Sequence, residues 1–151
     1  MISGVGTDLC RIERIARAME NPRFTERIFT PAERARLDNL CAERRAERAA
    51  GMFAAKEAVA KALGTGFTGF GFSDIEILAD EKGRPLAQLH DGAAELAKGE
   101  GGKWVRLFHG KREEAVAVIY RVAGEEKTLL VSMTESMRKK LIEQWKTAKR
   151  S

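Results

Sequence analysis

The feature that most constrains the fold is a long helical segment in the first half of the chain. Residues 44–63 are rich in Ala, Glu, Lys and Arg, contain no proline, and are followed by Gly64-Thr65-Gly66. Most of these residue types have high helix propensity, and glycine commonly follows the last helical turn. We therefore predict one long helix that ends at Leu63.

The N-terminal segment predicts a strand followed by a helix. Residues 2–9 are largely apolar and include a Gly-x-Gly-x-Asp turn, whereas apolar residues over 9–19 recur at helical spacing. We expect the strand to give way to the helix at Asp8, whose carboxylate would cap it. A second helix is expected from a capping box at Thr30, Pro31 and Glu33 to about Leu40.

Later residues switch to the alternating pattern of strands. Ile75 and Ile77 alternate with acidic residues, and residues 85–89 follow a turn at 80–83, which predicts a β-hairpin. Asp91 can then cap a short helix.

Residues 92–98 are the expected extent of that helix, and residues 104–108 and 115–122 predict a further antiparallel pair. The predicted fold class is α+β, with helices packed on one face of a small antiparallel sheet.

Composition favours a soluble folded protein. Hydrophobic residues make up 44% and charged residues 32% of the sequence, which argues against intrinsic disorder. Apolar runs are too short for a transmembrane helix, and Asp8 and Arg11 interrupt any signal-peptide core, so we expect a cytoplasmic protein. Cys10 and Cys41 are too few for a disulfide framework or a zinc site and are expected to be free thiols.

The net charge of +5 favours an anionic partner. Nucleic acid is not expected, because the few aromatic residues form no stacking platform beside the basic residues.

Spacing alone gives the charged residues ordinary roles. Glu57 and Lys61 stand four apart on the long helix, as in many surface ion pairs of little energetic consequence. Asp8 could be only a helix cap, and His109 only a histidine at a strand end.

Three blocks that occur in order change this interpretation. They are Gly4-Val5-Gly6-Thr7-Asp8, Phe53-Ala54-Ala55-Lys56-Glu57-Ala58 and Lys61-Ala62-Leu63-Gly64-Thr65-Gly66. Together they resemble the holo-[acyl-carrier-protein] synthases, which are small 4'-phosphopantetheinyl transferases. The resemblance covers about residues 1–122, which we expect to form the transferase domain, with 123–151 as a C-terminal extension.

The resemblance implies transfer of the 4'-phosphopantetheine group from coenzyme A to a serine of an apo acyl carrier protein, in fatty acid biosynthesis. The reaction would depend on Mg²⁺ and release adenosine 3',5'-bisphosphate. It implies that Asp8 and Glu57 hold the metal, and that Glu57 and Lys61 are catalytic, with the Lys61 ammonium on the diphosphate. The general base stays open between Glu57 and a metal-bound water.

The resemblance also assigns binding residues and an assembly. It places coenzyme A against Lys61, the turn Gly64-Thr65-Gly66, and His109 from a neighbouring subunit. It implies a homotrimer with active sites between subunits. Since carrier proteins are acidic, Arg14 and Arg27 are expected to bind the partner.

The sequence departs from the family pattern near the expected nucleotide end of coenzyme A. Met52 stands where the family usually has an arginine, and Arg106 and Phe108 stand where it has hydroxyl residues before His109. These changes predict weaker nucleotide binding, with partial compensation by Arg106 or the basic loop Lys111-Arg112 as the alternative. Because Asp8, Glu57 and Lys61 are all present, an active enzyme is favoured over a non-catalytic module of the same fold that binds an acidic carrier protein.

The C-terminal extension predicts a basic amphipathic helix. Met133, Met137, Leu141 and Trp145 recur on one helical face among lysines and arginines. We expect this face to pack on the domain or on a neighbouring subunit, with a membrane surface or another partner as the alternative.

Overall fold

A computed structural model describes residues 2–79, 81–83, 85–99, 102–103 and 114–123. Within these ranges the order of elements is β1 Ile2–Arg11, α1 Ile12–Ala18, α2 Pro22–Ile28, α3 Pro31–Asp38, α4 Ala42–Leu63, a 3₁₀ turn Phe72–Asp74, β2 Ile75–Ala79, β3 Pro85–Leu89, α5 Asp91–Gly99, β4 Gly102–Lys103 and β5 Glu114–Ala123. The predicted α+β class is confirmed. The strand expected over 104–108 and the C-terminal helix lie outside the described residues.

The described strands are divided between two antiparallel sheets. In one sheet β5 lies between β1 and β4, and in the other β2 pairs with β3 as the predicted hairpin. The pairing of β1 with β5 joins the N-terminal strand to a segment more than 100 residues later, with Asp8 opposite Ala117. Residue 8 therefore lies within a paired strand and not at the strand's end.

The predicted change from strand to helix at Asp8 is wrong. Strand β1 continues to Arg11, which pairs with Glu114, and helix α1 begins only at Ile12. Arg11 is the N-cap residue and makes no side-chain cap. Asp8 is thus not a cap, and its carboxylate is available for another role.

Local signals placed the next helices well, with one omission. The capping box of α3 is confirmed, since the Thr30 hydroxyl accepts from the Glu33 N–H and the Glu33 carboxylate accepts from the Thr30 N–H. Helix α2 was not predicted, although Asn21 caps it and Pro22 occupies its first turn. Helix α4 ends as predicted at Leu63, followed by Gly64 with φ of 86°.

Helix α4 forms the centre of the described core. It packs against β1 and β5 of the larger sheet and also contacts α1, α3 and β2. Most of its buried residues are alanines, including Ala50, Ala54 and Ala58. Small side chains allow close approach of neighbouring backbone. Across the described ranges, no helix has both the length and the apolar character needed to cross a membrane.

Strand β1 is in direct backbone contact with α4 at Gly6. A Cβ atom at Gly6 would lie 1.7 Å from the Ala58 carbonyl oxygen and 2.8 Å from the Ala62 nitrogen. Only a residue without a side chain fits there, so the strand backbone rests directly on the helix backbone. Because α4 carries Glu57 and Lys61 beside this contact, the approach also sets their distance from Asp8.

We predict that Gly6→Ala destabilises the protein. The added methyl group meets fixed backbone, so strand and helix must separate, and overpacking of this kind costs about 1–3 kcal/mol or more. Urea unfolding followed by circular dichroism measures the loss. Gly71→Ala is the matched control, because Gly71 has extended backbone with φ of −114° and a Cβ there meets nothing within 4 Å. Equal stability of the two variants would contradict the predicted steric conflict.

Candidate functional site

Asp8 and Lys61 meet at the edge of the contact between β1 and α4. The Lys61 Nζ lies 3.0 Å from Asp8 Oδ1. Alternate residues of a strand face the same side, so Asp8 shares the α4 side of β1 with Gly6 and Cys10. The side chain of Asp8 is 17% exposed and that of Lys61 is 51% exposed, so the pair lies at a surface that ligands can reach.

Glu57 lies one helical turn before Lys61 and belongs to the same charge cluster. Partial burial raises the pKa of Glu57 above its ordinary value, and the nearby Asp8 carboxylate raises it further. The positive charges of Lys61 and Arg14 oppose this shift without cancelling it. Two carboxylates from distant parts of the chain thus interact electrostatically, and the positive charges of the protein do not fully compensate them.

Cys10 marks the inner side of this cluster. Burial, and then the charge of Asp8, raise the pKa of the Cys10 thiol to about 11, although Arg14 opposes the change. The thiol is therefore protonated near neutral pH and is a poor nucleophile. Cys10 is buried and Cys41 is exposed, and both are free thiols, as expected.

The donor set suits a hard cation that completes its shell with other ligands. Asp8 and Glu57 supply two carboxylates, and Mg²⁺ is commonly held by one or two carboxylates together with phosphate oxygens and water. Among the described residues, no cluster of three or more His, Cys, Asp or Glu side chains could hold a metal by itself. The two carboxylates fit Mg²⁺ bound together with an anionic ligand.

The turn after α4 exposes backbone beside Lys61. Gly64 and Gly66 have φ of 86° and 60°, in the left-handed region that favours glycine. A Cβ at either position would meet nothing within 4 Å, and Gly64 and Thr65 are exposed. The Thr65 hydroxyl donates to the Gly66 carbonyl oxygen at 3.1 Å. This open turn leaves room for a ligand next to the ammonium group of Lys61.

The remaining residues that the sequence analysis singled out lie partly at the surface, partly in the core and partly outside the described residues. Arg14 on α1 and Arg27 on α2 are both exposed, and Arg14 contributes to the electrostatics of Glu57. His109, Arg106 and Phe108 lie outside the described residues. Met52 is only 3% exposed and packs in the apolar core, so its thioether serves packing in the described chain.

Lys56, directly before Glu57, is the residue that sequence reasoning missed. Its side chain is fully buried, and its Nζ lies 2.6 Å from Glu33 Oε1. Burial lowers the pKa of Lys56, and the Glu33 carboxylate opposes the decrease. The capping box identified Glu33 as a helix-start residue, but no signal in the sequence showed that its carboxylate also binds a buried lysine.

A family model for the 4'-phosphopantetheinyl transferase superfamily matches residues 4–118, which include every element described above except the end of β5 and the first strand residues. The chain belongs to this superfamily. The match confirms the family indicated by the sequence blocks around Asp8, Glu57 and Lys61.

Relatives within the superfamily are more specific. A holo-[acyl-carrier-protein] synthase of Alkaliphilus metalliredigens is 48% identical over 122 residues, which are 78% of this chain and 96% of the relative. The enzyme of Bacillus anthracis, solved in complex with coenzyme A (3',5'-ADP), is 34% identical with a TM-score of 0.69, over 82% of this chain and 99% of that one. The synthase of Helicobacter pylori, solved in complex with coenzyme A, is 27% identical with a TM-score of 0.66. The match covers 78% of this chain and 99% of that one. The chain is therefore a phosphopantetheinyl transferase by family and by fold.

We predict that Glu57→Gln stabilises the metal-free protein at neutral pH. The raised pKa means that the folded state binds the Glu57 proton more tightly than the unfolded state does. Glu57 therefore contributes stability at pH values below its unfolded pKa, and this contribution is lost as the pH rises through the folded pKa. The neutral amide avoids that loss. In EDTA, the Tm difference in favour of Glu57→Gln should be largest at pH 7 and should shrink toward pH 4. A lower Tm for the variant at pH 7 would contradict this electrostatic assignment.

Proposed function

We propose that this protein transfers the 4'-phosphopantetheine group of coenzyme A to a serine hydroxyl of an apo acyl carrier protein. The observation that carries the proposal is the meeting of the Asp8 carboxylate with the Lys61 ammonium beside Glu57. Membership of the superfamily, and the similarity to synthases solved with coenzyme A, support the same substrate.

The chemistry required is the cleavage of a diphosphate linkage. The serine oxygen forms a bond to the phosphorus of the pantetheine side, and the bond from that phosphorus to the bridging oxygen breaks. The leaving group, adenosine 3',5'-bisphosphate, takes the electron pair, and the serine proton must pass to a base. Catalysis of such a step rests mainly on positioning and on stabilising charge.

Residues of this chain match those requirements. Lys61 is half exposed, so its ammonium can contact the diphosphate and stabilise negative charge on the leaving side. Asp8 and Glu57 would hold Mg²⁺, which when bound supplies neutralisation of the phosphate oxygens. The serine proton would pass to Glu57 directly or to a metal-bound water, because Glu57 lies beside Asp8 and Lys61 at the same site.

Binding roles follow from exposure and charge. The open turn Gly64-Thr65-Gly66 would receive the phosphates of coenzyme A with its backbone, next to Lys61. Arg14, whose charge acts on Glu57, and Arg27 are both exposed and would bind the acidic carrier protein. His109 of a neighbouring subunit in a homotrimer is proposed to complete the nucleotide site.

The decisive experiment incubates the protein with coenzyme A, Mg²⁺ and an apo acyl carrier protein, and follows the carrier by mass spectrometry. We expect the carrier to gain one phosphopantetheine group. An intact carrier under every metal condition would instead favour a module that binds carrier proteins without modifying them.

Substitutions should separate the roles of Glu57 and Lys61. We predict that Glu57→Gln abolishes transfer, because it removes a metal ligand and the candidate base. Lys61→Ala should lower kcat by roughly 100-fold, the usual effect of losing one group that stabilises transition-state charge. It should keep its Mg²⁺ requirement, as measured by the metal concentration that gives half-maximal rate. Full activity of Glu57→Gln with an unchanged metal requirement would refute the assignment.

Charge reversal should test the carrier-binding surface. We predict that Arg14→Glu raises KM for the carrier protein several-fold with a smaller effect on kcat, since it replaces attraction to an acidic partner by repulsion. The difference should shrink as salt screens the charges. Arg44→Glu, an equal charge change at an exposed position near the start of α4, is the control. Equal increases in KM for both variants would indicate an effect of net charge alone.

A further inference from the structure

The buried lysine of α4 joins three other elements at one point. The Lys56 Nζ donates to Glu33 Oε1 on α3 and to the carbonyl oxygen of Ile28 at the end of α2, both at 2.6 Å, and to the carbonyl oxygen of Phe72 in the 3₁₀ turn at 3.1 Å. An ammonium group has three protons, so each has an acceptor. No part of the Lys56 side chain is exposed. Its only evident contacts are therefore within the fold, and not with a ligand.

Both carboxylate oxygens of Glu33, the partner of Lys56, also accept hydrogen bonds from backbone. Glu33 Oε1 also accepts from the Thr30 N–H at 2.8 Å, and Oε2 accepts from the Ile77 N–H of β2 at 3.1 Å. Strand β2 thus joins the same network. The acceptor of the Lys56 ammonium is fixed by backbone of α3 and β2, so the ammonium has one defined position.

The opposite side of α4 is fixed by a different contact. Consecutive side chains of a helix are rotated by about 100°, so Lys56 and Ala58 point to different sides of α4. On the side of Ala58, the backbone of Gly6 rests on the helix. Glu57 and Lys61 lie between these two fixed faces, next to Asp8.

Helix α4 is also held by hydrogen bonds from Arg45, near its start, to carbonyl oxygens at or just after the end of α3, and by the Phe53 ring stacked on Phe72. Around Glu57 the apolar contacts of the helix are less directional. The residues around Lys56 that pack into the core are mainly small, namely Ala54, Ala55, Ala58 and Ala60. Alanine surfaces are smooth and their contacts are not directional, whereas hydrogen bonds to three fixed oxygens define both the rotation and the axial position of the helix. A misplacement of about 1 Å at a catalytic group can lower a rate on the order of 100-fold.

We propose that Lys56 is a positioning residue for the transfer reaction. Its hydrogen bonds to Ile28, Glu33 and Phe72 fix the rotation of α4, so that Glu57 and Lys61 face Asp8 at the edge of β1. The inference rests on the proposed function, because it names what holds the groups of that reaction in place. Lys56 acts through its helical neighbours and touches no substrate.

The test compares a variant that lacks the ion pair of Lys56 and Glu33 with a variant that loses apolar packing one turn further along α4. Lys56→Met/Glu33→Gln removes both charges while keeping similar side-chain lengths, which avoids an unpaired buried charge. Val59→Ala is the control, because Val59 is fully buried on α4 and makes only apolar contacts that lack direction. All kinetics are measured at a temperature where circular dichroism shows each variant folded.

We expect kcat of the double variant, with both substrates saturating, to be at least about 10-fold below that of Val59→Ala. A crystal structure of the double variant should also show the Asp8 Oδ1 to Lys61 Nζ distance lengthened from 3.0 Å. The single variant Lys56→Met should have a lower Tm than the double variant, since it leaves the Glu33 carboxylate buried and unpaired.

Two results would overturn the positioning role. One is a double variant whose kcat equals that of Val59→Ala, and the other is an unchanged separation of Asp8 and Lys61 in its crystal structure. Failure of the proposed function is distinct, because the wild-type protein would then transfer nothing in the mass assay. In that case, the crystallographic distance still decides whether Lys56 sets the position of α4.

Discussion

The direct contact of strand β1 with helix α4 is the constraint on which the candidate site depends. A glycine at position 6 lets two backbones meet without side chains between them, at a distance that no other residue allows. Because Asp8 follows on the same side of the strand, its carboxylate reaches Lys61 from a position 53 residues away in the sequence. The chemistry of the site is thus set by backbone packing as much as by the charged residues themselves.

The site also keeps an electrostatic imbalance. Asp8 and Glu57 lie close enough for each negative charge to disfavour the other, and Lys61 and Arg14 compensate only in part. An arrangement of this kind costs stability in the isolated protein but favours binding of a cation, because the cation relieves the repulsion.

Most features set by neighbouring residues were predicted from the sequence, whereas most features set by contacts between distant residues were not. The capping box of α3, the glycine stop of α4 and the hairpin of β2 with β3 are local, and all three were predicted correctly. The extension of β1 to Arg11 was not, because it follows from pairing with β5 far along the chain. The grouping of Asp8 with Glu57 and Lys61 came from the family resemblance. No local sequence pattern would have predicted that these residues lie close together.

Burial was the property that sequence patterns predicted least well. Lys56 lies in a charged stretch typical of a helix surface, yet its ammonium is fully enclosed by oxygens from elements that the helix only meets in the folded state. Met52 stands where the family usually has an arginine near the nucleotide, and in this chain it packs in the core. Both outcomes depend on which side of α4 faces its neighbours, and that is decided by long-range packing.

The pairing of β1 with β5 has a consequence for folding during translation. Helices α1 to α4 can form from residues already synthesised, but β1 has its hydrogen-bonding neighbour only once residues 114–123 have emerged. Asp8 lies on β1 and therefore reaches its final position late, when nearly all of the region matched by the superfamily model has been translated. A nascent chain would form α4 with Lys61 and Glu57 early, and Asp8 would come into place beside them only after β5 had been made.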